Sequence, residues 1–265
     1  MAIPTTAILS ALEQEQQGLL DQLEHRRRVA RGGRDFWVGS LQGLKVVLAL
    51  SRIGKVAAAT TATTVIEAFG ADRIVFTGVA GALGPRIHVG DVVVASHFVQ
   101  HDMDASPLFP RFEVPLYHRT QFACDVRLCA MLVQASRQAI QGLPPAAANG
   151  PATAAPTVHR GLVASGDRFV ATALASRELR QALRAQTMEA LAVEMEGAAV
   201  AQVCHDYGVP FAAVRTISDR ADDTAHVDFQ QFIDEVAAVY ARRIIDHFLR
   251  LLARAEGRPG AGPHS

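Results

Sequence analysis

Short runs of small and β-branched apolar residues recur along this chain, and most give way to a stretch of helical composition. VVLAL at 46–50, IVF at 74–76, VVVA at 92–95 and FAAV at 211–214 carry little polar alternation. A strand that is apolar on both faces has to be covered on both faces, so this pattern demands a sheet sandwiched by helices. The expectation is an α/β fold: a single domain over residues 1–255, with a central mixed twisted sheet flanked by helices on both faces.

Residues 5–12 read as a buried first strand entering a helix at the acidic EQEQ. VVLAL is the expected central strand, paired across a Gly turn with the apolar segment before it. Residues 55–68 read as a helix closed by Gly70. Residues 74–84 read as a strand that breaks into a glycine-rich turn, TGVAG at 77–81. Helices are expected at 121–140 and 174–186, with a long amphipathic one at 230–255. The Pro-, Ala- and Gly-rich stretch 141–157 reads as a surface loop and 256–265 as a disordered tail.

Composition limits the partners. Lys and Arg number 26 and balance 26 Asp and Glu, so no net field recruits nucleic acid or an anionic membrane. No window is apolar enough to cross a bilayer. The start of the chain has no basic segment ahead of its apolar run, so no secretory signal is read there. Cys124, Cys129 and Cys204 form no disulfide or zinc-binding pattern and suit a reducing, cytoplasmic setting.

Chemistry is expected where carboxylates stand just past apolar strands: Glu13 or Glu15, Glu194 or Glu196, and Asp219. Each alone is explained equally well as a helix cap. Three in one chain beside glycine turns point to a site. Paired acids suit glycosidic cleavage, in which one group gives a proton and another prepares water. The glycine turn matches neither a dinucleotide fingerprint nor a phosphate loop. His101, Asp102 and Asp104 lack further metal-ligating residues at usable spacing, so neither metal nor cofactor is expected. Cys204–His205 reads as helix packing. Phe169, after the charged turn GDR, reads either as a core aromatic or as a platform for a flat base.

Six stretches in order, SALEQE (10–15), SRIGKVAAA (51–59), TGVAGALGPRIHVGDVVV (77–94), VASGDRFV (163–170), VEMEGAAVAQVCHDYGVPF (193–211) and VRTISDRAD (214–222), make the chain resemble the nucleoside phosphorylase superfamily. Within it the nearest resemblance is to the 5'-methylthioadenosine/S-adenosylhomocysteine nucleosidases. The resemblance implies hydrolysis of a purine nucleoside by water in a homodimer. It implies that Glu15 polarises the water, with Arg215 close to it. Glu196 would hold the ribose hydroxyls, with Met195 on the sugar and Glu194 beside it. Asp219, oriented by Ser218, would protonate purine N7. Phe169 would stack on the base and the Val170 backbone would meet its edge, while Ile53 and Phe229 would line the sugar and 5' side. Val79, Ala80 and Gly81 belong to the implied substrate turn, although the family often carries Ser or Thr where Val79 stands. The segment 98–120 is longer than the common pattern, and its apolar part at 107–117 suits a 5' cover or a subunit interface.

Three rival readings remain at this level. A phosphorylase would need an anion site, and Arg52 is the one residue that could supply it beside the acids of SALEQEQ. A nucleosidase for a different 5'-modified nucleoside, such as a futalosine-like one, shares every feature above. A binding or interaction protein without catalysis would leave the three acids unexplained.

Overall fold

The structure, a computed structural model, describes residues 4–143 and 155–257. Most of the loop read at 141–157 and most of the tail read at 256–265 lie outside the described residues. Strands β1 (Thr5–Ser10), β2 (Glu24–Arg31), β3 (Arg34–Leu41), β4 (Leu44–Leu50), β5 (Ala71–Ala82), β6 (Val92–Gln100), β7 (Gln121–Ala123), β8 (Val158–Ser165), β9 (Ala190–Glu194) and β10 (Phe211–Asp219) form one mixed ten-stranded sheet. Helices α1 (Glu13–Leu20), α2 (Lys55–Phe69), α3 (Val126–Ala139), α4 (Ala173–Arg184), α5 (Gly197–Tyr207), α6 (Ala225–Phe232) and α7 (Ala238–Ala255) cover it. α2 packs with α5, and α1 and α3 pack with α7, giving the two helical layers that the apolar strands require.

The hub of the sheet is β5, not VVLAL. β5 runs parallel to β1 and β10 and antiparallel to β9, whereas β4 lies between β1 and β3. Pairing of β5 with β10, β10 with β6, β6 with β8, β8 with β9 and β9 back to β5 closes a ring of strands. A strand shared between that ring and the open β1–β4–β3–β2 part has to be long, and β5 runs through TGVAG as regular strand. The expected glycine turn is therefore corrected.

Two other boundaries differ from expectation, and one strand was not anticipated. Residues 121–123 pair with β6, and the helix begins only after Asp125, whose carboxylate accepts the Leu128 N–H at 2.8 Å. The expected helix 230–255 is two helices joined by a π-helical turn at Ile233–Ala237. The charged segment EHRRRVAR forms the edge strand β2, almost wholly exposed. It is turned onto β3 by Gly32 and Gly33, both at positive φ.

This layout aims the ends of β1, β4, β5, β8, β9 and β10 toward one region. Ligands bind past the carboxyl ends of strands in such sheets.

Candidate active site

A cavity of about 420 Å³ opens there, lined in part by Glu15, Glu194, Glu196, Arg215 and Asp219. The fourteen residues that the resemblance brings to the substrate all line it, from Ile53 after β4 to Phe229 on α6, whereas Glu13, the alternative to Glu15, does not.

Glu15 sits in the first turn of α1, whose N-cap is Leu12 and has no polar side chain. The Glu15 carboxylate fills that role. It accepts the N–H groups of Ala11 at 2.9 Å and Leu12 at 3.0 Å, and reaches across to the Val79 N–H at 3.1 Å. Capping and lining the cavity are one arrangement here, not alternatives. Burial pushes its pKa up, while these donors and the Arg215 charge pull it down without cancelling the rise. A carboxylate that is more basic than usual is suited to taking a proton from water.

The glycines of β5 explain how the acids approach. A Cβ on Gly78 would meet Glu15 Oε1 at 3.3 Å, and one on Gly81 would meet Asp219 Oδ1 at 2.7 Å. These residues are glycine because carboxyl groups occupy the space of a side chain.

Asp219 ends β10 and is buried. Ser218 Oγ donates to its Oδ2 at 2.8 Å and the Ala221 N–H to its Oδ1 at 2.8 Å. Burial, aided by Asp228 and Asp222, outweighs those bonds and raises its pKa to about 6. It therefore holds a proton far more readily than an exposed aspartate.

Glu196 precedes α5 and accepts the Gly54 N–H at 2.8 Å. Burial and then the neighbouring Glu194 raise its pKa to about 8. Carboxyls this close in a dry site do not all ionise together.

Glu194 plays a different part. It accepts from Arg215 Nη2 at 2.8 Å, from the Gly197 N–H at 2.8 Å, from the Glu196 N–H at 3.2 Å and from Ser165 Oγ. Arg215 is fully buried, lies 4.2 Å over the Phe76 ring, and donates through Nη1 to the Phe76 and Val214 carbonyls. This pair fixes the start of α5 and places a positive charge beside Glu15 and Glu196.

The opposite end of the cavity is aromatic. Phe169 is 41% exposed, not a core residue, and meets Phe229 edge-on with centroids 5.7 Å apart. The loop carrying Phe169 is tied down by two aspartates. Asp167 accepts the Lys55 N–H at 2.7 Å, and Asp102 accepts the Asp167 N–H at 2.8 Å and Lys55 Nζ at 2.6 Å. Burial opposes ionisation of Asp102, but Lys55 and Asp167 hold its pKa below the usual range. Asp102 is thus engaged in an ion pair. Among the described residues, no group of three or more His, Cys, Asp or Glu is placed to hold a metal.

Sequence reasoning missed Gly54, Lys55 and Asp167, which brace Glu196 and the Phe169 loop, and His226, which lines the cavity from α6. The IGK of SRIGKVAAA marks the turn, but nothing in it shows a main-chain N–H aimed at a distant carboxylate. His226 sits in a polar stretch without periodic signal.

Three buried carboxyls with raised pKa values, Glu15 and Glu196 just past β1 and β9 and Asp219 at the end of β10, face an aromatic slot, the arrangement of a purine N-glycosyl hydrolase built on the phosphorylase fold. The phosphorylase superfamily profile matches residues 5–250. The chain is 35% identical to the 5'-methylthioadenosine/S-adenosylhomocysteine nucleosidase of Neisseria meningitidis, solved with methylthio-immucillin-A, at a TM-score of 0.82 over 93% of this chain and 99% of that one. It is 32% identical to the S-adenosylhomocysteine nucleosidase of Streptococcus pyogenes, at a TM-score of 0.82 over 95% and 98%. The futalosine hydrolase of Helicobacter pylori matches at 30% identity and a TM-score of 0.80 over 93% and 97%. The chain belongs to the 5'-methylthioadenosine/S-adenosylhomocysteine nucleosidase family of the phosphorylase superfamily.

Proposed function

We propose that this enzyme hydrolyses 5'-methylthioadenosine and S-adenosylhomocysteine to adenine and the corresponding 5-thioribose. The observation that carries this is the set of three buried carboxyls, Glu15, Glu196 and Asp219, around one cavity, each with its pKa raised.

The purine lies between Phe169 and Asp219, with the Val170 backbone at its edge. The sugar lies against Met195 and Ile53, with its hydroxyls on Glu196. As the C1'–N9 bond breaks, its electron pair goes to the purine and Asp219 gives its proton to N7. Water adds to C1' from the other face and Glu15 takes its proton, so the enzyme ends with the same number of protons. Arg215 and Glu194 hold the charge balance of the site while positive charge develops on the sugar.

Phosphate is disfavoured as the nucleophile. Arg52, the residue read as its anchor, donates to the Gly33 carbonyl at 2.5 Å and does not line the catalytic cavity. An anion beside Glu15 would meet like charge wherever that carboxylate is ionised. The test is incubation with methylthioadenosine, adenosylhomocysteine, adenosine and inosine, with and without phosphate. Adenine release from the two thionucleosides at a rate independent of phosphate supports the reading. Strict dependence on phosphate refutes it.

The working form we propose is a homodimer in the cytoplasm. Leu108 and Leu116 in the 98–120 segment are 84% and 81% exposed, more apolar surface than a monomer usually leaves on so short a stretch. Light scattering at micromolar concentration checks it, and a single-chain mass refutes it. The three cysteines are free and buried, which suits a reducing compartment.

A further inference from the structure

Beside the catalytic cavity lies a second, wider cleft between α1 and the β2–β3 hairpin. Ala11, Leu12 and Ile53 form walls of both. Arg26, Arg34 and Arg52 border the cleft, and none of them makes an ion pair among the described residues. Their hydrogen bonds go to main-chain carbonyls: Arg26 to Leu20, Arg34 to Gly32 and Ala57, and Arg52 to Gly33. Neutral acceptors leave the positive charges uncompensated. Arg34 Nε is buried with no acceptor among the described residues, and the nearby Arg52 charge lowers the pKa of Arg34 after burial does. Two guanidiniums held close together without a carboxylate suit an incoming anion. The cleft also holds Glu13 and Asp21, which have no cationic partner among the described residues. Asp35, a third acid of the cleft, is taken by Arg28 at 2.8 Å.

Direction follows from the catalytic cavity. The purine end is at Asp219 and Phe169, and the ribose end is at Glu196, which is bonded to Gly54 next to Ile53. A substituent leaving the sugar away from the base passes Ile53 and Leu12, the walls shared with the cleft.

We infer that Arg34 and Arg52 form a subsite for the carboxylate of a 5' substituent, so that this enzyme favours nucleosides whose 5' thioether ends in an amino acid over those ending in a methyl group. Glu13 and Asp21 then face the ammonium of the same amino acid. The inference rests on the nucleosidase reading for the position of the sugar, and its test separates the two.

Turnover is measured on adenosylhomocysteine and methylthioadenosine for the parent, Arg34→Gln, Arg52→Gln and, as a control on the same hairpin, Arg27→Gln, an exposed residue that does not line the cleft. Binding of both nucleosides is also measured in the Asp219→Asn background, where no turnover is needed. Each cleft variant is expected to lose about tenfold in kcat/KM and in affinity for adenosylhomocysteine, the scale of one partly exposed charge-assisted bond, with methylthioadenosine changed less than about twofold. Arg34→Lys should recover part of the loss because it keeps the charge, and Arg27→Gln should change neither substrate. Equal losses on both nucleosides, or an unchanged response to adenosylhomocysteine, overturn the subsite. Arginine-dependent discrimination in binding by a parent that releases no adenine keeps the subsite and refutes the hydrolase reading.

Discussion

Replacing Asp219 with Asn keeps the shape of the general acid and removes its proton. The amide oxygen of the new side chain would still accept the Ala221 N–H, while Ser218 Oγ would have to turn from donor to acceptor. Turnover on methylthioadenosine is expected to fall about 10²–10⁴-fold, the contribution of a positioned general acid. The stability effect runs the other way. Because burial raises the Asp219 pKa from 3.8 to about 6, the stability contributed by its protonated form is complete below 3.8 and is lost as pH rises through 6. That rise is worth about 3 kcal/mol, and the turned hydroxyl reduces the gain from substitution to about 1–3 kcal/mol. The variant should therefore be more stable than its parent at pH 8, with the gap narrowing as pH falls below 6. The parent's kcat/KM should decline above pH about 6 as the free enzyme loses this proton, and the variant should lack that limb. A nitrophenyl riboside, whose leaving group needs no N7 proton, should be cleaved by both at similar rates. Urea unfolding across pH 4–8 and steady-state kinetics on the same preparations make the test. Normal turnover in a folded variant, or lower stability than the parent at pH 8, refutes the assignment of Asp219 as a buried, protonated acid.

Other substitutions separate the roles of the neighbours. Gly81→Ala places a Cβ 2.7 Å from Asp219 Oδ1 and 3.1 Å from the Ala221 Cβ; the displaced acid should cost about 10²-fold in turnover, read by adenine release. Glu194→Gln strands the buried Arg215 charge, whose partner carboxylate is itself 3% exposed, and should cost about 3–5 kcal/mol in urea unfolding. Asp167→Ala removes the acceptor that holds the start of α2 beside Gly54. It should raise KM about fivefold, the worth of one hydrogen bond, with a smaller change in kcat.

The layered α/β architecture was legible because strands apolar on both faces leave few other solutions, and the acids were legible because nothing in packing calls for a carboxylate past such strands. The hub strand was not. Its glycines read as a turn, since sequence does not show that Glu15 and Asp219 occupy the places of their missing side chains. β2 escaped because EHRRRVAR has no apolar alternation, and exposure on an edge removes the pattern that usually marks a strand. Arg215 was placed near the chemistry from the resemblance, and Glu194 was read from its position as the alternative to Glu196. Their partnership joins β9 to β10 over a separation of 21 residues, and no local spacing announces it. Arg52 was readable as an anion site but not as one facing a different cleft, because its direction depends on the positive φ of 62° it adopts after β4.

The central claim is that Glu15 directs water to the face of the sugar opposite the departing base. Proton NMR of the sugar in the first moments of methylthioadenosine cleavage, in phosphate buffer at high enzyme concentration, tests it directly. Free 5-methylthioribose is expected, formed initially as the α anomer and then equilibrating. Accumulation of a sugar 1-phosphate, or initial formation of the β anomer, would contradict it.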